Sequence, residues 1–159
     1  MQIYLLRHGI ADNPRPGQPD AERALTPEGQ DKLRAVLKRA RAAGVEPQTI
    51  LSSPYRRALE TAALAAEILE YKGKVRETRT LVPDASPYDL WDEIRAMQQE
   101  PAILLASHEP LMSTAVAFLL GSPALQVQMK KGALVRIDCD RFGREPKGIL
   151  KWMITPALA

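Results

Sequence analysis

The chain has 159 residues, of which 45% are hydrophobic and 26% are charged, the balance of an ordinary globular protein. Its formal net charge is only +3, and Lys130-Lys131 is interpreted as a solvated face, so the basic stripe of a nucleic-acid-binding protein is excluded. The single Cys139 excludes an internal disulfide, and the apolar run from Ile3 to Leu6 is too short for a signal peptide or a membrane span. We therefore expect one cytoplasmic domain that spans residues 1–159.

The first predicted strand covers residues 2–6, where a continuous apolar run is typical of a buried strand. A loop rich in Pro, Gly and Asp follows, from residue 12 to about residue 24. Thr26 and Pro27 then predict the start of a helix, with Thr26 as the N-cap and Pro27 in the first turn. Gly44 predicts the end of that helix.

The rest of the chain continues the alternation of strands and helices. Ser53 and Pro54 predict a second helix that begins in the same way and runs to about Leu69. Two more helices are expected, near 88–98 and over 110–120. The other predicted strands are 49–52, 75–80, 102–106, 133–138 and 149–154. Because strand alternates with helix four times, we expect a three-layer α/β/α fold around a mostly parallel, mixed six-stranded sheet.

Polar side chains are concentrated where the predicted strands end. Arg7 and His8 follow the first strand, a segment with two serines and two arginines (52–57) follows the second, and Ser107-His108-Glu109 follows the fourth. Open parallel sheets bind ligands beyond the carboxyl ends of their strands. Both histidines of the chain are thus predicted to lie at one ligand-binding edge.

The chemistry of this edge is narrowed by elimination. No Cys pair or His-x-x-x-His spacing suggests a zinc site, no G-x-S-x-G elbow suggests a serine hydrolase, and no phosphate-cradling P-loop motif is present. What remains is histidine with arginine, a combination suited to phosphoryl transfer without a metal or other cofactor. Arginine forks bind phosphate oxygens, and a neutral imidazole can attack phosphorus.

Four motifs in order make the prediction specific. LLRHGIAD resembles the R-H-G signature of the histidine phosphatase superfamily, whose fold is phosphoglycerate mutase-like. RALTPEG (23–29) and SSPYRRALETA (52–62) are similar to two further segments of that superfamily. SHEPLM (107–112) resembles the second-histidine motif of small bacterial phosphohistidine phosphatases of the SixA type. The resemblance spans nearly the whole chain.

The resemblance implies a role for four residues. His8 would be the nucleophile, with Arg7 on the phosphate beside it. His108 would donate a hydrogen bond to a phosphate oxygen and balance its charge. Arg57 matches the arginine of the superfamily because it directly precedes Ala58. The spacing agrees, since Arg56 has an acidic residue at i+4 and can pair with it on the surface.

For the other candidate site residues, a purely structural role explains the sequence as well as a role in the site does. Arg23 is either a further phosphate contact or a solvated loop arginine. Gly9 would let the backbone approach the phosphate, although an ordinary turn glycine predicts the same residue. Ser52, Ser53 and Ser107 are interpreted as helix caps and turn formers.

No residue clearly matches the acid that protonates an alkoxide leaving group in mutases and phosphomonoesterases of this superfamily. Asp84, with Asp89 nearby, and Glu109 are candidates, each with a surface or capping role as the alternative. An alkoxide needs such an acid because the pKa of its parent hydroxyl is about 15.7. Imidazole, whose conjugate acid has a pKa of about 6.5, needs little help to leave. The missing acid therefore favours phosphohistidine as the substrate.

These observations predict a metal-independent phosphohistidine phosphatase with a covalent phospho-His8 intermediate. The partner implied by the resemblance is a phosphorylated histidine-phosphotransfer protein, with inorganic phosphate as the product and with no nucleic acid or membrane involved. A phosphomonoesterase for a small phosphate ester is the alternative, and the short chain leaves little room for the capping segments of a mutase. A phosphohistidine-binding module without turnover is a third hypothesis.

Overall fold

The computed structural model describes residues 1–159. Its six strands are β1 (Gln2–Arg7), β2 (Thr49–Ser52), β3 (Arg76–Glu77), β4 (Ala102–Ser107), β5 (Leu134–Asp138) and β6 (Ile149–Ile154). Its four helices are α1 (Pro27–Ala42), α2 (Arg56–Ile68), α3 (Pro87–Ala96) and α4 (Leu111–Leu119). Short 3-10 turns lie at 20–22, 79–81 and 156–158. No helix is both long enough and apolar enough to cross a bilayer.

The six strands form one mixed sheet in the order β3-β2-β4-β1-β5-β6. The three pairings among β1 to β4 are parallel, whereas β5 and β6 are antiparallel to their neighbours. The predicted mostly parallel sheet is therefore confirmed. Because β1, β2 and β4 run parallel, their carboxyl ends lie side by side at one edge of the sheet.

Helices cover both faces of the sheet. Successive side chains of β1 point to opposite faces, and apolar residues on both faces need to be buried. Ile3 and Leu5 pack with residues of α3 and α4, whereas Tyr4 and Leu6 pack with residues of α1 and α2. All four of these β1 side chains are fully buried. Because burial of apolar area is the main favourable term in folding, the two cores hold β1 firmly in the middle of the molecule.

The start of α1 is confirmed. The backbone N–H of Gly29 donates to the Thr26 hydroxyl at 3.0 Å, and Pro27 occupies the first turn. The helix ends at Ala42, two residues before Gly44, which takes a left-handed φ of 79°.

The predicted start of α2 at Ser53-Pro54 is wrong. The helix begins at Arg56, and its N-cap residue Tyr55 makes no side-chain cap. The backbone N–H of Ser53 still donates to the carbonyl of Ala106 at 3.0 Å, so Ser53 remains tied to the sheet. Its hydroxyl contacts His108 instead of capping a helix.

The strand predicted over 75–80 is also shorter than expected. Only Arg76 and Glu77 pair with β2, and the chain then turns at Thr78. The carboxylate of Glu93 on α3 accepts hydrogen bonds from the hydroxyls of Thr78 and Thr80. These bonds stabilise the turn and draw the chain away from the sheet.

Candidate active site

Three strand ends place the central side chains. His8, Ser53 and His108 directly follow β1, β2 and β4. The backbone N–H of His8 donates to the carbonyl of Ser107 at 2.9 Å, which extends the β1–β4 pairing by one residue. The two imidazole rings consequently lie with their centroids 5.1 Å apart.

His8 is held in one tautomer by its neighbour. Its Nδ1 lies 2.6 Å from the carbonyl oxygen of Gly9, and a carbonyl only accepts, so Nδ1 carries the proton and donates it. Nε2 therefore carries a lone pair, which accepts a long hydrogen bond from Nε of Arg57 at 3.4 Å. The side chain is buried. Burial, reinforced by Arg57, Arg7 and Lys131 and opposed by the bond to Gly9, lowers the pKa of His8 to about 4. His8 is thus neutral at physiological pH.

Arg57 is the arginine that reaches His8. It is only 4% exposed, and its two terminal nitrogens donate to Asp20, to the carbonyl oxygen at 2.8 Å and to Oδ2 at 3.0 Å. Arg56 instead is exposed and pairs with Glu60 at 2.8 Å. The structure therefore places Arg57, and not Arg56, beside the imidazole.

His108 carries an unpaired polar atom in the site. Its Nε2 lies 2.8 Å from the hydroxyl of Ser53, whereas its buried Nδ1 has no partner. The Ser53 hydroxyl accepts from the N–H of Tyr55, and Nε2 is the only acceptor that its own proton meets. We therefore assign that proton to the bond with Nε2, which leaves Nδ1 as the protonated nitrogen. Burial, together with the charges of His8 and Arg57, lowers the pKa of His108 to about 3.

Arg7 lies close enough to both histidines to lower their pKa values. One terminal nitrogen donates to the carbonyl of Met129 at 2.6 Å, and its buried Nε has no partner. Burial lowers the pKa of Arg7, an effect that the nearby Glu109 opposes, and the side chain stays cationic at physiological pH. Arg7 Nε and His108 Nδ1 are two of only three unpaired buried side-chain polar atoms in the chain.

Arg23 reaches the site through a carboxylate. Its Nε and one terminal nitrogen donate to Oδ1 of Asp20 at 2.9 and 2.8 Å, while Oδ2 of Asp20 accepts from Arg57. Burial raises the pKa of Asp20, but the bonds from Arg23 and Arg57 outweigh it and leave the pKa lowered. Asp20 is therefore an ionised bridge between the two arginines.

Packing against α1, as well as the position next to His8, explains why residue 9 is glycine. A Cβ at this position would lie 2.6 Å from Cδ1 of Leu33 and 3.1 Å from the carbonyl oxygen of Gly29. The close approach of α1 therefore favours glycine here. Its backbone N–H donates to the hydroxyl of Thr61 at 3.2 Å, and that hydroxyl donates to the carbonyl of Arg57.

The two candidate acids differ in position. One carboxylate oxygen of Glu109 accepts from the N–H of Ser113 at 2.7 Å and so satisfies the start of α4, the capping role given as its alternative. Asp84 is exposed in the turn before α3 and makes no side-chain hydrogen bond or ion pair. The structure brings neither carboxylate into contact with His8.

Sequence reasoning missed Asp20 and the contact of Ser53 with His108. Asp20 lies in the loop rich in Pro, Gly and Asp, where aspartate is ordinary, and its spacing of three residues from Arg23 was the only signal. Ser53 is interpreted from the sequence as a cap or turn former, and its hydroxyl does accept from the N–H of Tyr55, but it also contacts His108. No group of three or more His, Cys, Asp or Glu side chains is arranged to hold a metal ion.

The arrangement suits an oxyanion. Arg57 donates to the lone pair of His8, and a second guanidinium group and a second imidazole, from segments remote along the chain, lie close to that ring. Two of the buried donors lack acceptors. Buried polar groups normally have partners, so such unpaired donors indicate a position for a ligand. Arginine donors match the geometry of phosphate oxygens.

Comparisons with known proteins also point to histidine phosphatases. The family model for the histidine phosphatase superfamily (branch 1) matches residues 3–81. The phosphohistidine phosphatase SixA of Escherichia coli is 25% identical over 158 residues, which cover 98% of this chain and 94% of that protein. An uncharacterized protein of Picosynechococcus sp. is 28% identical over 138 residues, which cover 85% of this chain and 83% of that protein.

Solved structures share the fold. A structure of the protein histidine phosphatase SixA complexed with tungstate superposes with a TM-score of 0.88 at 25% identity, covering 99% of this chain and 98% of that one. A mycobacterial glucosyl-3-phosphoglycerate phosphatase has the same fold, with a TM-score of 0.69 at 20% identity over 94% and 96% of the two chains. The chain belongs to the histidine phosphatase superfamily and has its phosphoglycerate mutase-like fold.

Proposed function

We propose that the protein is a phosphohistidine phosphatase that works through a covalent phospho-His8 intermediate and needs no metal. The observation that carries this proposal is the state of His8: a neutral ring, with the Nε2 lone pair facing Arg57. A neutral imidazole flanked by cations is a nucleophile that can approach an anionic phosphoryl group. The free Cys139 suits the cytoplasmic setting of such a reaction.

In the first step the phosphoryl group passes from the substrate ring to His8. The bond between phosphorus and the substrate nitrogen breaks while the bond to Nε2 of His8 forms. The substrate imidazole, protonated at its other nitrogen, leaves as a neutral ring. Arg7, Arg57 and Nδ1–H of His108 bind the equatorial oxygens, where charge is spread in the transition state.

In the second step water hydrolyses the phosphoenzyme. Water attacks phosphorus, and the electron pair of the P–N bond returns to Nε2. Because Gly9 holds the proton on Nδ1, His8 leaves as a neutral imidazole without any added proton. Both protons of the water remain on the dihydrogen phosphate product until solvent takes one. The tautomer set by Gly9 therefore serves both steps.

The surroundings of the site support phosphohistidine as the substrate. The carboxylates nearest to it, Asp20 and Glu109, are an ionised bridge between arginines and a helix cap. Both carboxylates are engaged in these contacts, and an imidazole leaving group needs no acid. The relative named phosphohistidine phosphatase SixA supports the same substrate class.

A small-molecule phosphomonoesterase is the second candidate function. It is supported by the shared fold of the mycobacterial glucosyl-3-phosphoglycerate phosphatase, named for a small phosphate ester. A panel of substrates separates the two candidates. A kcat/KM for sugar or nucleotide phosphates well above that for phosphohistidine would favour the second.

The proposal is tested with a phosphorylated histidine-phosphotransfer domain as substrate in the presence of EDTA. The wild-type protein should release inorganic phosphate, and the His8→Asn variant should release none above the uncatalysed rate. Arg56→Ala serves as the control, since this exposed side chain pairs only with Glu60. Equal rates for wild type and His8→Asn would contradict the role of His8, and loss of activity in EDTA would contradict metal independence.

A further inference from the structure

A loop with two adjacent lysines lies against the candidate active site. Lys130 and Lys131 are exposed, whereas Met129, Gly132 and Ala133 on either side of them are buried. We call Lys130 and Lys131 the lysine rim. The loop is thus anchored at both ends and exposes only its two charged side chains.

The anchors of the lysine rim are bonds to the catalytic segment itself. The carbonyl of Met129 accepts from Arg7 at 2.6 Å, and the N–H of Gly132 donates to the carbonyl of His8 at 3.0 Å. Gly132 has a left-handed φ of 77°, a conformation that glycine adopts without strain. The lysines therefore keep a fixed place beside His8.

The lysine rim borders an open basic groove of about 530 Å³. Arg7, Lys32 and Thr155 line the groove with the two lysines, and no acidic residue does. Lys32 pairs with Glu28 at 2.8 Å, but neither Lys130 nor Lys131 forms an ion pair within the chain. Lys131 is close enough to His8 to contribute to the lowered pKa of that imidazole. Two unpaired cations thus lie next to the nucleophile.

Binding of one phosphoryl group does not need these two additional cations. Arg57, His108 and Arg7 already lie close to His8, whereas the lysines line, together with Arg7, a groove that His8 itself does not line. A charged surface beside a reaction site raises the rate of encounter with a partner of opposite charge. The geometry therefore suits a second anionic feature, carried by the substrate outside the phosphoryl group.

We propose that the lysine rim is the docking surface for acidic side chains that border the phosphohistidine on the substrate protein. This inference rests on the proposed function and deepens it by assigning the recognition of the protein substrate to Lys130 and Lys131. The exposed position of both lysines at an open groove allows a folded partner to reach them. The carboxylates of the partner approach the rim while its phosphorylated imidazole enters between Arg7 and Arg57.

The test compares two substrates with two double variants. The substrates are a phosphotransfer domain with acidic residues around its phosphohistidine, and phosphoramidate, which has no second anionic group. For Lys130→Ala/Lys131→Ala, kcat/KM on the phosphoprotein should fall about tenfold more than kcat/KM on phosphoramidate. The salt dependence of kcat/KM on the phosphoprotein should also become weaker than in the wild type.

The matched control is Lys72→Ala/Lys74→Ala. These lysines carry the same charge but lie in the loop that leads into β3, at the opposite edge of the sheet. This variant should keep both kcat/KM values, so that a general loss of positive charge is distinguished from loss of the rim.

Three results would overturn the inference. An unchanged kcat/KM of the rim variant on the phosphoprotein, or equal losses on both substrates, would remove the docking role while leaving the proposed function intact. If the wild type releases no phosphate from the phosphoprotein, the proposed function and the inference fail together.

Discussion

His8 can act as a nucleophile only while the lone pair on Nε2 is free, and two contacts secure that state. The carbonyl of Gly9 fixes the proton on Nδ1, and burial beside two arginines disfavours the imidazolium. The unperturbed imidazole, with a pKa of about 6.5, would be partly protonated in mildly acidic conditions. The environment of His8 thus extends the pH range in which the ring keeps the neutral form that the proposed attack on phosphorus requires.

This state predicts an unusual titration. Because the pKa values of His8 and His108 are lowered to about 4 and about 3, both rings should stay neutral from pH 8 to pH 5.5 and protonate only below that range. The chain has two histidines, so ring NMR signals resolve both, and the His8→Asn variant assigns them. A midpoint near 6.5 for either ring in the folded protein would contradict the account.

Arg57 and Arg56 form a natural pair of test and control. Arg57→Lys keeps a positive charge but loses the planar fork, so kcat/KM should fall by about 100-fold. Arg56→Lys should stay within about twofold of the wild type, because its partner is Glu60 on the surface. Steady-state kinetics on the phosphoprotein measure both variants. Equal effects of the two substitutions would contradict the assignment of Arg57 to the site.

The sequence predicted the central residues better than their supporting contacts. Arg7, His8, Arg57 and His108 belong to motifs of distinctive composition, and the structure brings all four together. Asp20 could not be found in this way, because its role depends on how the loop before α1 folds back onto Arg57. The contact of Ser53 with His108 likewise depends on the pairing of β2 with β4 and not on local sequence.

At the scale of elements, the approach of α1 to the segment after β1 holds the site together. Gly29 on α1 lies so close to Ile10 that a Cβ would overlap the carbonyl oxygen of Ile10 and come within 2.8 Å of its backbone nitrogen. The N–H of Thr26 also donates to the carbonyl of Ile10 at 2.9 Å. The glycine of the RALTPEG motif is therefore explained by packing against the chain that carries His8.

This packing predicts the effect of one methyl group. Alanine is normally better than glycine within a helix, yet Gly29→Ala should lower the free energy of unfolding by about 1–3 kcal/mol, because the overlap is with backbone. Gly143→Ala is the control, since a Cβ there meets nothing within 4 Å and its φ is not positive. Urea denaturation measures both variants. A Gly29→Ala protein as stable as the wild type would contradict the close contact.

Helix and strand boundaries were predicted well where local chemistry decides them. Thr26 and Pro27 set the start of α1 through a cap and a fixed φ, both of which the sequence contains. Ser53 and Pro54 present the same pattern, but there the sheet retains Ser53 and the helix starts later. The length of β3 also depends on a distant residue, since Glu93 of α3 binds the turn that ends it.

At the scale of the whole molecule, the sheet order explains why remote residues meet. β1 lies between β4 and β5, and β2 pairs with the other side of β4. The parallel register aligns the carboxyl ends of β1, β2 and β4, so residues separated by about a hundred positions become neighbours. Alternating strands and helices predicted the layers, but the register and the lysine rim beside Arg7 required the structure.

A bound oxyanion provides the direct test of whether His8 attacks a phosphoryl group held by Arg7, Arg57 and His108. A crystal structure of the protein with vanadate should show vanadium bonded to Nε2 of His8, with oxygens on Arg7, Arg57 and Nδ1 of His108. The carboxylate of Asp20 should share Arg57 with the anion or be displaced from it. Vanadate bound elsewhere, or bound among the arginines with the His8 ring turned away from vanadium, would contradict the account.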